Sequence, residues 1–384
     1  MKNSKILRMI YSPLTAVTDV VKNPKYKGPI MILLLFVLAN TCFFYIALSK
    51  TFLEDTSPDS SLRDEWTEVI TSWSSNAIIS TNDDHITGDY YGNKSIQFSI
   101  SNKTTILSQL QDVEPINSLG NSYKQLSFRI KILSPTNVNI NNASLLLNTG
   151  SQDFFSYDLT DSLNSVRSDV WTNISLPIGP ESHNWLKSSA GANWSSITSV
   201  SLELSWPETS VSTLGFRLDG LFFHGVFQSL TNDLGYVLNF SLLAFTQFTV
   251  KWVLLAGLLY LISKPFGAQI VWRTLLIAVG FALITLFIQA ILNSITYLAS
   301  PPLYYSFDLI GGVPGESDVA YQRILDENWL ITQFSNTIQL IIHVWTVSLC
   351  AMVMRELTSF SWTKNFIIAS LAYFAALVIE TILL

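Results

Sequence analysis

The sequence predicts a membrane bundle of five helices with an all-β sandwich inserted between the first and second spans. Three observations carry that reading. Apolar runs of membrane-spanning length occupy both ends of the chain, and residues 51–233 between them are rich in Ser, Thr, Asn and Asp. Within the polar segment, short stretches alternate apolar and polar residues with a period of two, which indicates strands with one buried face. Charged side chains make up only 13% of the 384 residues, about half the ~25% of an ordinary soluble domain.

Residues 1–28 carry Lys2, Lys5, Arg8, Lys22, Lys25 and Lys27 against one acid, Asp19. Ile10 to Val21 is expected as an amphipathic helix lying on the membrane surface, ended by Asn23-Pro24. Residues 29–49 then form the first span. A cleaved signal peptide is the rival reading, but the basic region is long and the apolar run exceeds the roughly 7–15 residues of a signal core.

Residues 50–233 read as the β domain. Expected strands are Ser95–Ser101, Gln125–Leu133, Ser144–Asn148, Phe154–Leu159, Val170–Pro177, Ile197–Trp206 and Leu214–Phe227. In Gln125–Leu133, Leu126, Phe128, Ile130 and Ile132 share one face, while Ser127, Arg129 and Lys131 share the other. Regular short strands separated by Asn, Asp and Gly point to a sandwich. Sequons at Asn93, Asn102, Asn142, Asn173 and Asn193, with another at Asn239 beside the membrane, fit an exported, glycosylated surface.

Residues 234–384 hold spans two to five. Lys251 to Leu292 contains two long apolar runs around the turn Ser263-Lys264-Pro265-Phe266-Gly267, a helical hairpin in which Pro265 ends one helix and Gly267 permits the reversal. Only helices satisfy every backbone group of such runs in hydrocarbon. Residues 299–328 read as an external polar loop, and Trp329–Val353 and Phe366–Leu384 as the last spans. Six bases near the N-terminus, with Lys264, Arg273, Arg355 and Lys364, fall on one side of the bundle, against Arg323 in the short loop opposite. The positive-inside rule therefore puts the N-terminus in the cytoplasm and the β domain and C-terminus outside, in the cell membrane.

Between Lys50 and Leu234 there are 20 acids and 10 bases, a local charge of −10, which argues against nucleic-acid binding. Cys42 and Cys350 both lie in apolar runs, where they read as helix-packing residues, so no disulfide framework holds the β domain. No catalytic spacing, P-loop, nucleotide-binding glycine pattern or metal-ligand motif appears. An enzyme, a cofactor and a metal are accordingly not expected, and Asp83, Asp84 and Asp89 read as turn formers rather than calcium ligands. Trp171, Trp194 and Trp206 are expected in the core. Trp185, in the Ser/Gly/Asn-rich loop Gly179–Asn193, is the candidate ligand contact, since a loop-borne indole can stack on a sugar. Inside the membrane Lys251, His343 and Glu380 stand out, because ionisable groups there are costly. Lys251 is expected to snorkel to the outer interface or to make a structural hydrogen bond.

Several short stretches resemble the Yip domain family: Ser12-Pro13-Leu14-Thr15-Ala16-Val17, Asn23-Pro24-Lys25-Tyr26, the Phe266-Gly267 turn, and Trp345 to Leu349 with the last two spans. The resemblance implies five spans, a cytoplasmic N-terminus and, from eukaryotic members, a link to Rab-type GTPases and vesicle trafficking. Prokaryotic members mostly lack an assigned activity, and family members usually have a short loop where this chain carries its β domain. Trp194 to Leu204, with Leu218 to Phe223, resembles galactose-binding-like or carbohydrate-binding jelly rolls. Three functional readings follow. The first is a non-enzymatic membrane protein whose external β-sandwich binds or scaffolds envelope or glycan components. The second is a membrane-organising protein recruiting cytoplasmic partners, and the third a small transporter using Lys251 and His343.

Overall fold

A computed structural model describes residues 5–59, 64–111, 113–136, 138–150, 152–207, 213–232 and 234–383. The chain divides into two units. One joins the segment up to Thr51 with Ser229–Leu303 and Leu325–Leu384, and the other joins Phe52–Gln228 with Tyr304–Ile324.

The first unit is helical. Among the described residues five helices are long and apolar enough to cross a membrane: Lys27–Ser49, Gly235–Phe266, Trp272–Leu298, Trp329–Leu357 and Trp362–Leu383. The third is interrupted at Leu283, between helices Trp272–Ala282 and Ile284–Leu298. Gly267 closes the turn before it with φ +82°, a left-handed conformation that glycine adopts without penalty. Small residues set the closest approaches, as membrane helices require. A Cβ on Gly280 would meet Trp252 and Pro29 at 2.6–2.7 Å. Hydrogen bonds then tie neighbouring spans: Thr41 to Ser241 at 2.9 Å, Trp252 Nε1 to the Leu276 carbonyl at 2.7 Å, and Thr285 to Thr346 at 2.7 Å.

The N-terminal segment differs from expectation. It is a helix pair, Lys5–Tyr11 and Pro13–Lys22, clasped by the Arg8–Asp19 ion pair at 2.6 Å. Met9, Ala16, Val17 and Val20 are buried in the core of the helical unit. The apolar face that suggested a surface-lying helix is satisfied by protein. Cys350 is buried as expected, but Cys42 is exposed on its span.

Among the described residues the second unit is a sandwich of two sheets, one of seven strands and one of six. The seven expected strands all appear with small boundary shifts; Leu214–Phe227, for instance, becomes Thr213–Ser229. Strands Thr51–Ser57, Ile78–Asn82 and Thr105–Leu110 were not expected from the sequence. Their apolar residues are too few or too short a run to signal, although Ile106 and Leu110 are fully buried. Between the sheets lie Trp73, Phe98, Phe128, Phe216, Leu202 and their neighbours.

Residues 299–328 are structured rather than an open loop: strand Leu303–Tyr305, helix Phe307–Ile310 and helix Glu316–Glu327. Phe307 packs on Phe222 at 4.8 Å, and its backbone N–H donates to Glu54. Glu316 takes the Arg129 guanidinium on two oxygens, the Nη1 contact being 2.8 Å. Ser127 and Arg129, read as a solvated face, are therefore buried. Burial alone would lower the Arg129 pKa, but Glu316 and Tyr91 outweigh it and keep the guanidinium charged.

Asp64 and Asp219 form a buried carboxyl pair on the Gly220 N–H, each accepting at 2.9 Å, while Asp219 also accepts from Ile86 N–H at 2.6 Å. Desolvation first, and then the neighbouring Asp219, push the Asp64 pKa well up. A carboxyl with a raised folded-state pKa contributes its stability below the unfolded value of about 3.9 and loses it as pH rises through the folded value. Asp64→Asn is thus expected to raise the melting temperature relative to the parent at pH 8, with the gap closing towards pH 4. Thermal melts across that range check it; an equal or lower melting temperature at pH 8 would contradict a protonated Asp64.

Candidate functional site

The outer face of the seven-stranded sheet carries a polar row fixed by register. Arg217 on Thr213–Ser229 lies directly opposite Gln97 on Ser95–Ser101 and, on its other side, opposite Lys131 on Gln125–Ser134. Two cations abreast on one face repel. Asp84, from the loop after strand Ile78–Asn82, resolves this by bonding both. Its Oδ2 accepts from Lys131 Nζ at 2.9 Å and from Arg217 Nη1. Arg217 Nε donates to Gln97 Oε1 at 2.9 Å, and Asp169 adds a second anion to Lys131 at 3.1 Å. Trp171 completes the group, its indole N–H donating to Asp84 Oδ1 at 3.1 Å.

Partial burial works to raise the Asp84 pKa, but the hydrogen bonds from Lys131 and Trp171 and the charges of Lys131 and Arg217 prevail and hold it below the usual carboxylate range. Lys131 is shifted up: burial opposes this, and its bonds to Asp84 and Asp169 win. The arrangement is a fixed set of charged donors and acceptors beside a half-buried indole. It suits recognition of a polar, hydroxyl-rich molecule, with ring stacking and bidentate hydrogen bonds as its means.

Sequence reasoning missed this site. Trp171 was expected in the core, yet it is half-buried and joined to Asp84. Asp84 was read as a turn former, and no residue spacing links it to Lys131 or Arg217. Among the described residues no cluster of His, Cys, Asp and Glu could hold a metal.

Trp185 requires a correction. It is 8% exposed, packs edge-on against Trp194 at 5.7 Å and donates its N–H to the Pro177 carbonyl at 2.9 Å. The loop folds back so that the indole fills the core, and no ligand can stack on it. Trp194 is buried as expected, stacked on Phe155 at 3.8 Å, and Trp206 is buried too. Asn93, Asn102, Asn142, Asn173, Asn193 and Asn239 are all exposed.

In the helical unit the structure brings the three intramembrane groups together. Lys251 Nζ meets Glu380 Oε2 at 3.0 Å, with both side chains about nine-tenths buried. His343 Nδ1 lies 2.7 Å from the Tyr373 hydroxyl. Lys251 therefore has a fixed partner on the fifth span and does not reach for the interface.

These features define the class: an integral membrane protein with a bundle of spans and a β-sandwich. The Yip1 domain family model matches residues 193–383. The N-terminal stretches that suggested the family lie outside that match. No curated protein sequence matches the chain. Among solved structures, a family 11 carbohydrate-binding module from Clostridium thermocellum in complex with a beta-1,3-1,4-mixed-linked tetrasaccharide is 14% identical with a TM-score of 0.29, covering 44% of this chain and 94% of its own. A family 28 module specific for non-crystalline cellulose is 8% identical with a TM-score of 0.27, covering 40% and 88%. The family 22 module of Clostridium thermocellum Xyn10B is 10% identical with a TM-score of 0.25, covering 43% and 93%.

Proposed function

We propose that this protein is a non-enzymatic membrane-anchored binding protein. Its β-sandwich faces outward from the cell membrane and takes up a glycan of the cell envelope on the sheet face around Trp171. The observation that carries the reading is the row Gln97–Arg217–Lys131 bridged by Asp84, with the Trp171 indole held beside it. Binding is supported by the way Lys131, Arg217 and Trp171 all engage Asp84, which fixes the row as a set of oriented polar groups. The outward placement rests on the distribution of bases among the short segments.

Trp171→Ala should weaken glycan binding about tenfold, the size expected from losing roughly 1.4 kcal/mol of stacking. Its melting temperature should shift little, because the side chain is only half-buried. Fluorescent soluble envelope polysaccharides applied to intact cells provide the assay, since only an outward-facing sheet meets them. Parent-level labelling of the variant, or no labelling by any of the polysaccharides, would overturn the proposal.

A further inference from the structure

The helical unit holds an open-sided cavity of about 410 Å³ lined by residues of all five spans. Its walls are unusually polar for a membrane bundle, with Gln247, Gln289 and Asn293 beside Lys251, His343 and Glu380. Polar groups in hydrocarbon are costly unless they are satisfied or serve a function. Lys251 pairs with Glu380 and His343 meets Tyr373, which leaves Gln247, Gln289 and Asn293 without a comparable interhelical bond to account for them.

Depth follows from helix rise. Lys251 stands 15 residues before Phe266, Glu380 stands 18 after Trp362, and His343 stands 14 before Leu357. At 1.5 Å per residue these are about 22, 27 and 21 Å from the ends that carry Lys264, Arg355 and Lys364. In a hydrocarbon core of about 30 Å the cavity lies in the far half, near the opposite interface. Its rim bears exposed Gln339 and Thr381, polar residues suited to admitting a polar ligand.

Within the cavity the hydrogen-bonding account does not close. The Lys251–Glu380 pair uses one carboxylate oxygen, and the other, Glu380 Oε1, is buried without a donor. The Asn293 carboxamide oxygen is likewise buried without one. An unmet acceptor on a buried carboxylate costs more than a neutral one. Two open acceptors call for a ligand with several N–H donors, and an ammonium has three. A bare cation would meet the Lys251 charge at close range. A molecule whose ammonium sits at Glu380 and whose acid group reaches Lys251 satisfies both ends and leaves the cavity neutral.

We propose that this cavity is a binding site for a small zwitterion carrying a primary ammonium and an acid group. Glu380 and Asn293 receive the ammonium, and Lys251 receives the acid. The same chemistry occurs in a free amino-acid-like solute and in an ethanolamine phosphate headgroup of a lipid.

The test uses the purified full chain in phosphatidylglycerol nanodiscs, titrated calorimetrically with glycine, alanine and phosphoethanolamine. N-acetylalanine, which lacks the ammonium, and alanine methyl ester, which lacks the acid, serve as controls. A second arm compares melting temperatures in phosphatidylethanolamine and phosphatidylglycerol nanodiscs. Binding of a free zwitterion, with both alanine analogues at least tenfold weaker than alanine where alanine is the ligand, identifies a solute site. A higher melting temperature in phosphatidylethanolamine identifies a headgroup site. In either case Asn293→Leu, which leaves the ion pair intact, should weaken the response about tenfold, and the Lys251→Met/Glu380→Gln double variant should abolish it. Absence of response in both arms, a single-charge analogue binding as well as alanine, or a full response from the double variant would overturn the proposal.

Discussion

Lys251→Met alone should destabilise the protein strongly, whereas Lys251→Met/Glu380→Gln should be far milder. Removing one partner of a buried ion pair strands the other charge, at a typical cost of about 3–5 kcal/mol. Glu380 is 7% exposed and Lys251 8%, so each charge depends chiefly on the other. Replacing both partners removes the stranded charge, and such neutral substitutions are often tolerated. Melting of the two single variants and the double variant in detergent gives the coupling directly as a double-mutant cycle. Equal melting temperatures for Lys251→Met and the parent would show that the pair does not form.

Trp194→Ala and Trp185→Ala should each cost about 3–5 kcal/mol, the usual price of truncating a buried tryptophan. Trp194 loses its stack on Phe155 at 3.8 Å and its edge contact with Trp185. Trp185 also leaves the Pro177 carbonyl without its indole donor. At roughly 2–4 °C per kcal/mol for a unit of this size, each substitution should lower the melting temperature of the β unit by about 10 °C. Because the two rings touch, the double variant should fall short of the sum. Calorimetry of the full chain tests this. A Trp185→Ala protein melting with the parent would restore Trp185 as an exposed loop residue and contradict its packing.

The helical unit was legible because the bilayer reduces its demand to one dimension. A run of about 20 apolar residues has no alternative to a helix, and no partner need be known to read it. The strands were legible for a similar local reason: alternate residues such as Leu126, Phe128, Ile130 and Ile132 state which face is apolar. What covers the other face is not a local property. Ser127 and Arg129 looked solvated until Glu316 and Phe307, remote in sequence, came to rest near them. The direction of the Trp185 indole depended on how a polar loop folds back, which composition does not encode.

Both functional clusters have the same origin. Asp84, Lys131 and Arg217 meet because strand register sets them abreast, and Lys251 meets Glu380 because two spans are rotated toward a common cavity. The sequence by itself determined the classes of element, their membrane or aqueous surroundings and the presence of costly intramembrane charges. Only the tertiary structure decided which charges neutralise one another, which acceptors stay open and which indole is accessible, since register, helix rotation and loop closure are long-range properties.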